Sequence, residues 1–163
     1  MPEISIMAAM DTHRAIGYQG QLPWQLPADL ARVKQLAKGQ TFIMGRQTFQ
    51  SADAIISPSK NIVLSNTICE LHHPNSFRVA SMQEALDLLE PNEQVLIMGG
   101  VQVYKEALTF AQKMFLTFVH HQFKADAFFP AWKEEEWKIV HETRFPADSE
   151  NPYPYSFVDF ERV

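Results

Sequence analysis

Asp29 sits just inside the start of a segment that reads as an amphipathic helix, and its surroundings make it a candidate site carboxylate. The run from Gln21 through Leu22, Pro23, Trp24, Gln25, Leu26, Pro27 and Ala28 to Leu30 is otherwise apolar, aromatic or uncharged. Pro27 suits the first helical position, where its missing N–H would have had no intrahelical acceptor. Asp29 then falls in the first turn, where the helix dipole favours an anion. On a helical wheel Asp29, Val33 and Leu36 share a direction, with Leu30 and Ala37 on the flank. An acid so placed can grip the hydrogen-bond donors of a ligand or assist a proton transfer. An acid at a helix start can equally cap the helix and face water. Trp24 and the two prolines that fix the approach favour the site.

Two strand ends carry a second kind of chemistry. Met44-Gly45-Arg46-Gln47-Thr48-Phe49 puts a glycine, a cation and a hydroxyl at a strand-to-helix turn, and Ile97-Met98-Gly99-Gly100 repeats the turn without the cation. Glycine lets a ligand approach the backbone, and the helix start behind it offers free N–H groups to phosphate. Either turn alone is ordinary turn chemistry; the pair, with Arg46, points to a ligand bearing several phosphates. The spacing matches neither the dinucleotide fingerprint nor a P-loop. His72-His73 and His120-His121 read as surface histidines, and no metal site is expected. No serine sits in a nucleophile elbow.

These residues need a scaffold. Strands are expected at Ile4–Met10, Thr41–Met44, Asn61–Leu64, Phe77–Ala80, Val95–Met98 and Lys113–Val119, with Trp137–Arg144 and Tyr155–Val163 as a closing antiparallel pair. Helices are expected from Pro27 to about Leu36, near Arg46, after Ser81, and through Tyr104 to about Leu108. Ser81 followed by Glu84 is a capping box. The stretch up to Gln21, with Gly17 and Gly20, reads as a loop. Alternation of this kind implies one α/β domain over residues 1–163, a mostly parallel sheet with helices on both faces and ligands at the strand carboxyl ends.

The net charge of −5, with acids concentrated late, argues against a nucleic-acid surface. Cys69 is the only cysteine, so an internal disulfide is excluded and a reducing compartment is expected. Neither a secretory leader nor a run of membrane-spanning length is visible, which gives a cytoplasmic expectation. No strongly apolar exposed stripe repeats along a helix, which favours a monomer.

Together these residues resemble the dihydrofolate reductase family from the first strand to the last. The resemblance is carried by Ala15-Ile16-Gly17, by Leu22-Pro23-Trp24 through Leu26-Pro27 to Asp29-Leu30, and by Met44-Gly45-Arg46 with Thr48-Phe49. Met98-Gly99-Gly100 with Tyr104, Leu116-Thr117, Asp126 and Phe129-Pro130 complete it. It implies an eight-stranded mostly parallel mixed sheet with four helices. The implied reaction is NADPH-dependent reduction of 7,8-dihydrofolate to 5,6,7,8-tetrahydrofolate for one-carbon metabolism, with hydride to C6 and a proton to N5 through water. The same site would take antifolate inhibitors.

By that resemblance Asp29, Trp24 and Thr117 form the catalytic group, with Asp29 accepting hydrogen bonds from the pterin N3–H and 2-amino group. Met7, Ala9, Leu30, Val33, Ala52, Ile56, Ser59 and Met98 would complete the substrate pocket. The cofactor would lie along Ala9, Ile16, Gly45, Arg46, Gln47, Thr48, Leu64, Ser65, Asn66, Gly99, Gly100, Val101, Gln102, Val103 and Tyr104. In the family the glycine pair is joined by a cis bond, and the loop from Ala15 to Trp24 is a lid over the nicotinamide.

The chain also departs from the family pattern. Ser59 stands where an arginine usually holds the α-carboxylate of the folate glutamate, a contact worth about 1.5–3 kcal/mol. Ala52, Asp53 and Ala54 make that rim smaller and less positive, with Lys60, Arg32 and Lys34 as possible substitute charges. Asn66 and Gln102 replace a hydroxyl and a cation that would help recognise a 2′-phosphate. The alternatives are therefore a reductase of a pterin without the glutamate tail, or a non-catalytic pterin- or nucleotide-binding protein on the same fold. A reductase of riboflavin synthesis shares the fold but lacks the Pro-Trp-x-Leu-Pro-x-Asp block.

Overall fold

The structure, a computed structural model, describes residues 1–51, 54–67, 71 and 73–163. In chain order its elements are β1 (Glu3–Met10), β2 (Ala15–Gly17), α1 (Pro27–Leu36), β3 (Thr41–Gly45), α2 (Arg46–Gln50), β4 (Lys60–Leu64) and β5 (Ser76–Val79). Then come α3 (Met82–Asp87), β6 (Gln94–Ile97), α4 (Val101–Ala107), β7 (Lys113–Val119), β8 (Ala127–Phe128), β9 (Trp137–Phe145) and β10 (Tyr155–Arg162).

Eight strands make one sheet in the order β5-β4-β3-β6-β1-β7-β10-β9. Pairing is parallel from β5 to β7. β10 is antiparallel to β7 and to β9, the Pro-containing connection from Phe145 to Tyr155 making β9 and β10 a hairpin. Side chains alternate across the sheet. Ile4, Ile6, Ala8 and Met10 of β1 enter one core with Tyr104 and Ala107 of α4 and Ala85 of α3, whereas Met7 enters another with Val33 of α1 and Phe49 of α2. Both faces are covered, so the central strands read as near-continuous apolar runs.

The start of α1 is built differently from a self-capped helix. Leu26 is its N-cap and offers no side-chain acceptor. The Ala28 N–H instead donates to the side chain of Asn151, at 3.0 Å and from a loop far along the chain. Asp29 is thereby released from capping. The capping box at α3 is a variant: Ser81 Oγ accepts from the Glu84 N–H at 3.1 Å, but the Glu84 carboxylate reaches back to the N–H of Ala80 at 2.9 Å.

The region before Gln21, expected as loop, contains β2, which pairs with β8 in a separate two-stranded ribbon. Strands of three and two residues are too short for a period of two to show. The ribbon is held by side chains instead. Asp11 accepts the N–H groups of His13 and Ala15 on one oxygen and that of Phe123 on the other, all at 2.8 Å.

Candidate active site

The carboxyl ends of β1, β3 and β6 open into one cleft of about 1270 Å³. This exceeds the roughly 300–1,000 Å³ typical of a pocket for one small ligand, and leaves room for two molecules side by side. α1 forms one wall, the turns at Gly45 and Gly99-Gly100 form the floor, and the β2–β8 ribbon forms a rim at Ile16, Gly17 and Ala127.

Asp29 lines the cleft and is 8% exposed. Its Oδ1 accepts a hydrogen bond from Thr117 Oγ1 at 2.7 Å. No donor reaches its other oxygen among the described residues. Burial pushes its carboxyl above the ordinary value, and the Thr117 hydrogen bond and the nearby Arg32 guanidinium oppose that rise. An acid facing water is thus ruled out. Thr117 is fully buried behind the wall and orients the carboxylate without lining the cleft.

Tyr104 braces the floor. Its hydroxyl donates to the Met7 carbonyl at 2.8 Å, and burial, with the charge of Asp29, pushes its ionisation up. It therefore remains a neutral donor. The Gly99–Gly100 peptide is cis. The Gly45 N–H donates to the Gly99 carbonyl at 2.8 Å, which brings the two glycine turns into direct contact.

At the far end, Arg46 Nη1 donates to Thr67 Oγ1 at 3.3 Å and Arg78 Nε to the Thr67 carbonyl at 3.0 Å. Both guanidinium groups thus meet Thr67, with Arg46 lining the cleft and Arg78 behind that lining; only Arg46 was legible from its motif. Ser65, Asn66, Ser81 and Gln83 line the same end.

Of the substrate residues expected from the sequence, Met7, Ala9, Asp29, Val33 and Met98 line the cleft. Leu30 does not: one residue past Asp29 it turns about 100° away and is 42% exposed. Ile56 is half-buried and packs with Phe49 and Val63 in the core. Ser59 lies on the exposed turn before β4, where its N–H donates to Ser57 Oγ at 3.1 Å. Ala52 and its neighbour Asp53 lie outside the described residues, as do Cys69 and His72. Every expected cofactor residue (Ala9, Ile16, Gly45, Arg46, Gln47, Thr48, Leu64, Ser65, Asn66, Gly99, Gly100, Val101, Gln102, Val103 and Tyr104) lines the cleft.

Trp24 is buried outside the lining, against Phe123 at 5.2 Å between ring centroids. Its Nε1 is the one buried side-chain polar atom without a partner among the described residues. Gly20, Gln21 and Leu22 line the cleft from the loop expected as a lid, whereas the sequence reading missed Ile55, Ala80 and Met82 as lining. Ser81, whose capping pattern marks a helix start after a strand, was the available signal for the last of these.

Of the proposed substitute cations, Lys60 is paired with Glu93 at 3.0 Å and Arg32 with Asp159. Lys34 is exposed and pairs with no carboxylate among the described residues. His73 packs edge-on against Phe49, His120 bonds Ser156 Oγ at 2.8 Å, and His121 packs with Phe123 and Tyr153. No group of three or more metal-ligating side chains converges among the described residues.

Comparison with known proteins places this architecture. The family model described as Dihydrofolate reductase matches residues 3–162. Dihydrofolate reductase of Bacillus subtilis (strain 168) is 36% identical over 159 residues, covering 98% of this chain and 94% of that protein. The enzyme of Staphylococcus haemolyticus is 35% identical over 167 residues, covering 99% and 96%. Among solved structures, dihydrofolate reductase from Enterococcus faecalis, complexed with NADP(H) and RAB-propyl, superposes with a TM-score of 0.89 at 28% identity, covering 98% of this chain and 96% of that one. Matched over nearly its whole length in sequence and in fold, the chain belongs to the dihydrofolate reductase family, the enzymes that reduce dihydrofolate with NADPH.

Proposed function

We propose that, in this chain's reduction of 7,8-dihydrofolate to tetrahydrofolate, Asp29 binds and orients the pterin through its N3–H and 2-amino group. The observation that carries this reading is a buried carboxylate with one oxygen held by Thr117 and the other open to donors in the cleft. The nicotinamide half of NADPH, when bound, supplies the hydride. The residues fit such a group: the glycine turns at Gly45, Gly99 and Gly100 leave the floor without side chains, and Arg46 with Arg78 offers positive charge where phosphates end. Asp29 is too well engaged with the far edge of the pterin to hand its proton to N5, so that proton comes through water. The buried Trp24 N–H, having no acceptor among the described residues, is suited to hold such a water.

Loss of absorbance in the NADPH band on adding dihydrofolate tests the activity. The exposed Ser59, with Arg32 and Lys60 both committed to other acids, supports a second reading in which the substrate lacks the glutamate tail. Dihydrofolate and dihydrobiopterin are therefore compared by kcat/KM, and preference for the untailed pterin decides for the second reading. Ser59→Arg is expected to lower KM for dihydrofolate about tenfold or more and to leave the untailed substrate unchanged. An unchanged KM for both substrates removes Ser59 from the explanation.

The loop from Ala15 to Trp24 acts as a lid in this reading. Asp126 receives the Gln19 N–H at 3.0 Å and donates its own N–H to Gly17 at 3.0 Å. Asp126→Ala keeps the second bond and loses the first, which is worth about 1 kcal/mol. Turnover is expected to fall roughly fivefold, with faster amide exchange at Gln19; neither change would appear if the lid were docked by other contacts. A cytoplasmic, monomeric, single-domain enzyme without a nucleic-acid partner completes the reading. The net charge of −5 supports it, and no helix among the described residues is long and apolar enough to cross a membrane.

A further inference from the structure

We propose that the Arg32–Asp159 ion pair behind α1 is a positioning device for the active-site carboxylate, fixing its place against the sheet and the pH at which it ionises. The inference rests on the role given to Asp29 above. Arg32 follows Asp29 by three residues in α1, so the two lie on neighbouring turns of one helix face. Its Nη2 donates to Asp159 Oδ1 of β10. Its Nη1 donates to the Leu116 carbonyl at 3.5 Å, which belongs to the peptide leading into Thr117, the residue that holds Asp29. The guanidinium lies 4.5 Å from the Phe157 ring centroid and 5.9 Å from that of Phe115. Phe157 is paired with Thr117, and Asp159 with Phe115, across the β10–β7 ladder. All four therefore project to the face under α1.

One side chain thus ties the helix that carries Asp29 to both strands beneath it, with side-chain exposures of 14% for Arg32 and 23% for Asp159. β9 places the titratable His141 directly opposite Asp159 in the β10–β9 ladder, and few other charges face this region. On β7 Lys113 is paired with Glu3 of β1 at 2.9 Å and feels Asp159 and Glu161. α4 contributes the neutral Tyr104, and β1 contributes only the uncharged Met7, Ala8 and Ala9 toward the cleft. The Arg32 guanidinium opposes the rise that burial causes in Asp29, and Asp159 sets the opposite charge beside that guanidinium.

The two partners therefore have opposite effects on one ionisation. Arg32→Met keeps an unbranched apolar stem, removes the cation and leaves Asp159 unpaired, so Asp29 ionises at higher pH. Asp159→Asn keeps an acceptor for the guanidinium but removes its countercharge, so Asp29 ionises at lower pH. The experiment follows the Asp29 side-chain carbon signal by NMR against pH, assigned by its absence in Asp29→Asn, together with the pH profile of kcat/KM. Displacements of about half a pH unit or more in opposite directions, roughly threefold in proton concentration, are expected. A purely structural clamp lowers Tm in both variants and moves the titration in neither, or in the same direction in both; either result overturns the proposal. Should Arg32→Met fail to fold, Arg32→Lys, which retains charge but not the fork, is expected to titrate close to the parent while Asp159→Asn still titrates lower. If the titration moves as stated and the activity profile does not follow it, the role of Asp29 in turnover fails and the ion pair's effect stands.

Discussion

Asp29→Asn folds and loses about 10²–10⁴-fold of its activity at neutral pH, the range associated with a positioned acid–base group. The amide can still accept the Thr117 hydroxyl, so the local packing survives. What is lost lies on the ligand side. A carboxylate presents two acceptors to the paired N–H donors of the pterin, whereas an amide presents one acceptor and one donor. The donor meets another donor, and the charge that favoured the pterin in its reactive form is absent.

The same substitution should stabilise the protein. Burial raises the Asp29 carboxyl above its unfolded value, so the folded state binds more protons than the unfolded state between the two. Stability therefore falls as pH rises through that window, by at most about 1.4 kcal/mol per pH unit for one group. The asparagine variant has no such loss. Its Tm should exceed that of the parent at pH 7, and the gap should close toward pH 4. A variant that is both less stable at neutral pH and nearly as active as the parent would remove Asp29 from the site.

Much of this arrangement is written locally in the chain. Pro27 before an apolar-periodic run marks the start of α1, and β-branched and aromatic runs mark the central strands because both faces of the sheet are buried. The glycine turns mark the floor for the same local reason. The unread parts depend on distant partners. The α1 cap comes from Asn151, and the ion pair under Asp29 joins residues 127 apart in sequence. No periodicity encodes either contact. The β2–β8 ribbon is held by Asp11 and Asp126 accepting backbone N–H groups, so its signal lay in two acids of loops. Thr117 presents no sequence signal of its own and was reached through the family resemblance. Leu30 stands off the cleft lining for a geometric reason: lying beside Asp29 in sequence puts a helical side chain about 100° off its line.

Gly99→Ala is expected to damage both the fold and cofactor binding, and the reason separates it from its neighbour. Gly99 has φ of 110°, and a methyl group there would lie 3.1 Å from Tyr104 Cε2 and 3.2 Å from both Cζ and the hydroxyl oxygen. That ring cannot yield easily. It is buried, donates to the Met7 carbonyl, and has Phe129 at 4.8 Å with Trp132 at 5.6 Å beyond it. The backbone conformation costs about 1–3 kcal/mol and the added volume a further ~1–3 kcal/mol, so Tm should drop by several degrees or more. The shift would also pull the Gly99 carbonyl from the Gly45 N–H and part the two turns that make the floor. Cofactor affinity, followed by quenching of tryptophan fluorescence, should fall about 100-fold, corresponding to ~2.7 kcal/mol. Gly100→Ala provides the contrast: φ there is −88°, and its methyl would meet Thr48 Oγ1 at an ordinary 3.5 Å. Its Tm should stay close to the parent, so any loss of affinity reports a ligand pressed against that backbone. Parent-like Tm and affinity in Gly99→Ala would show that the floor can repack, and that the glycine there answers to neither conformation nor space.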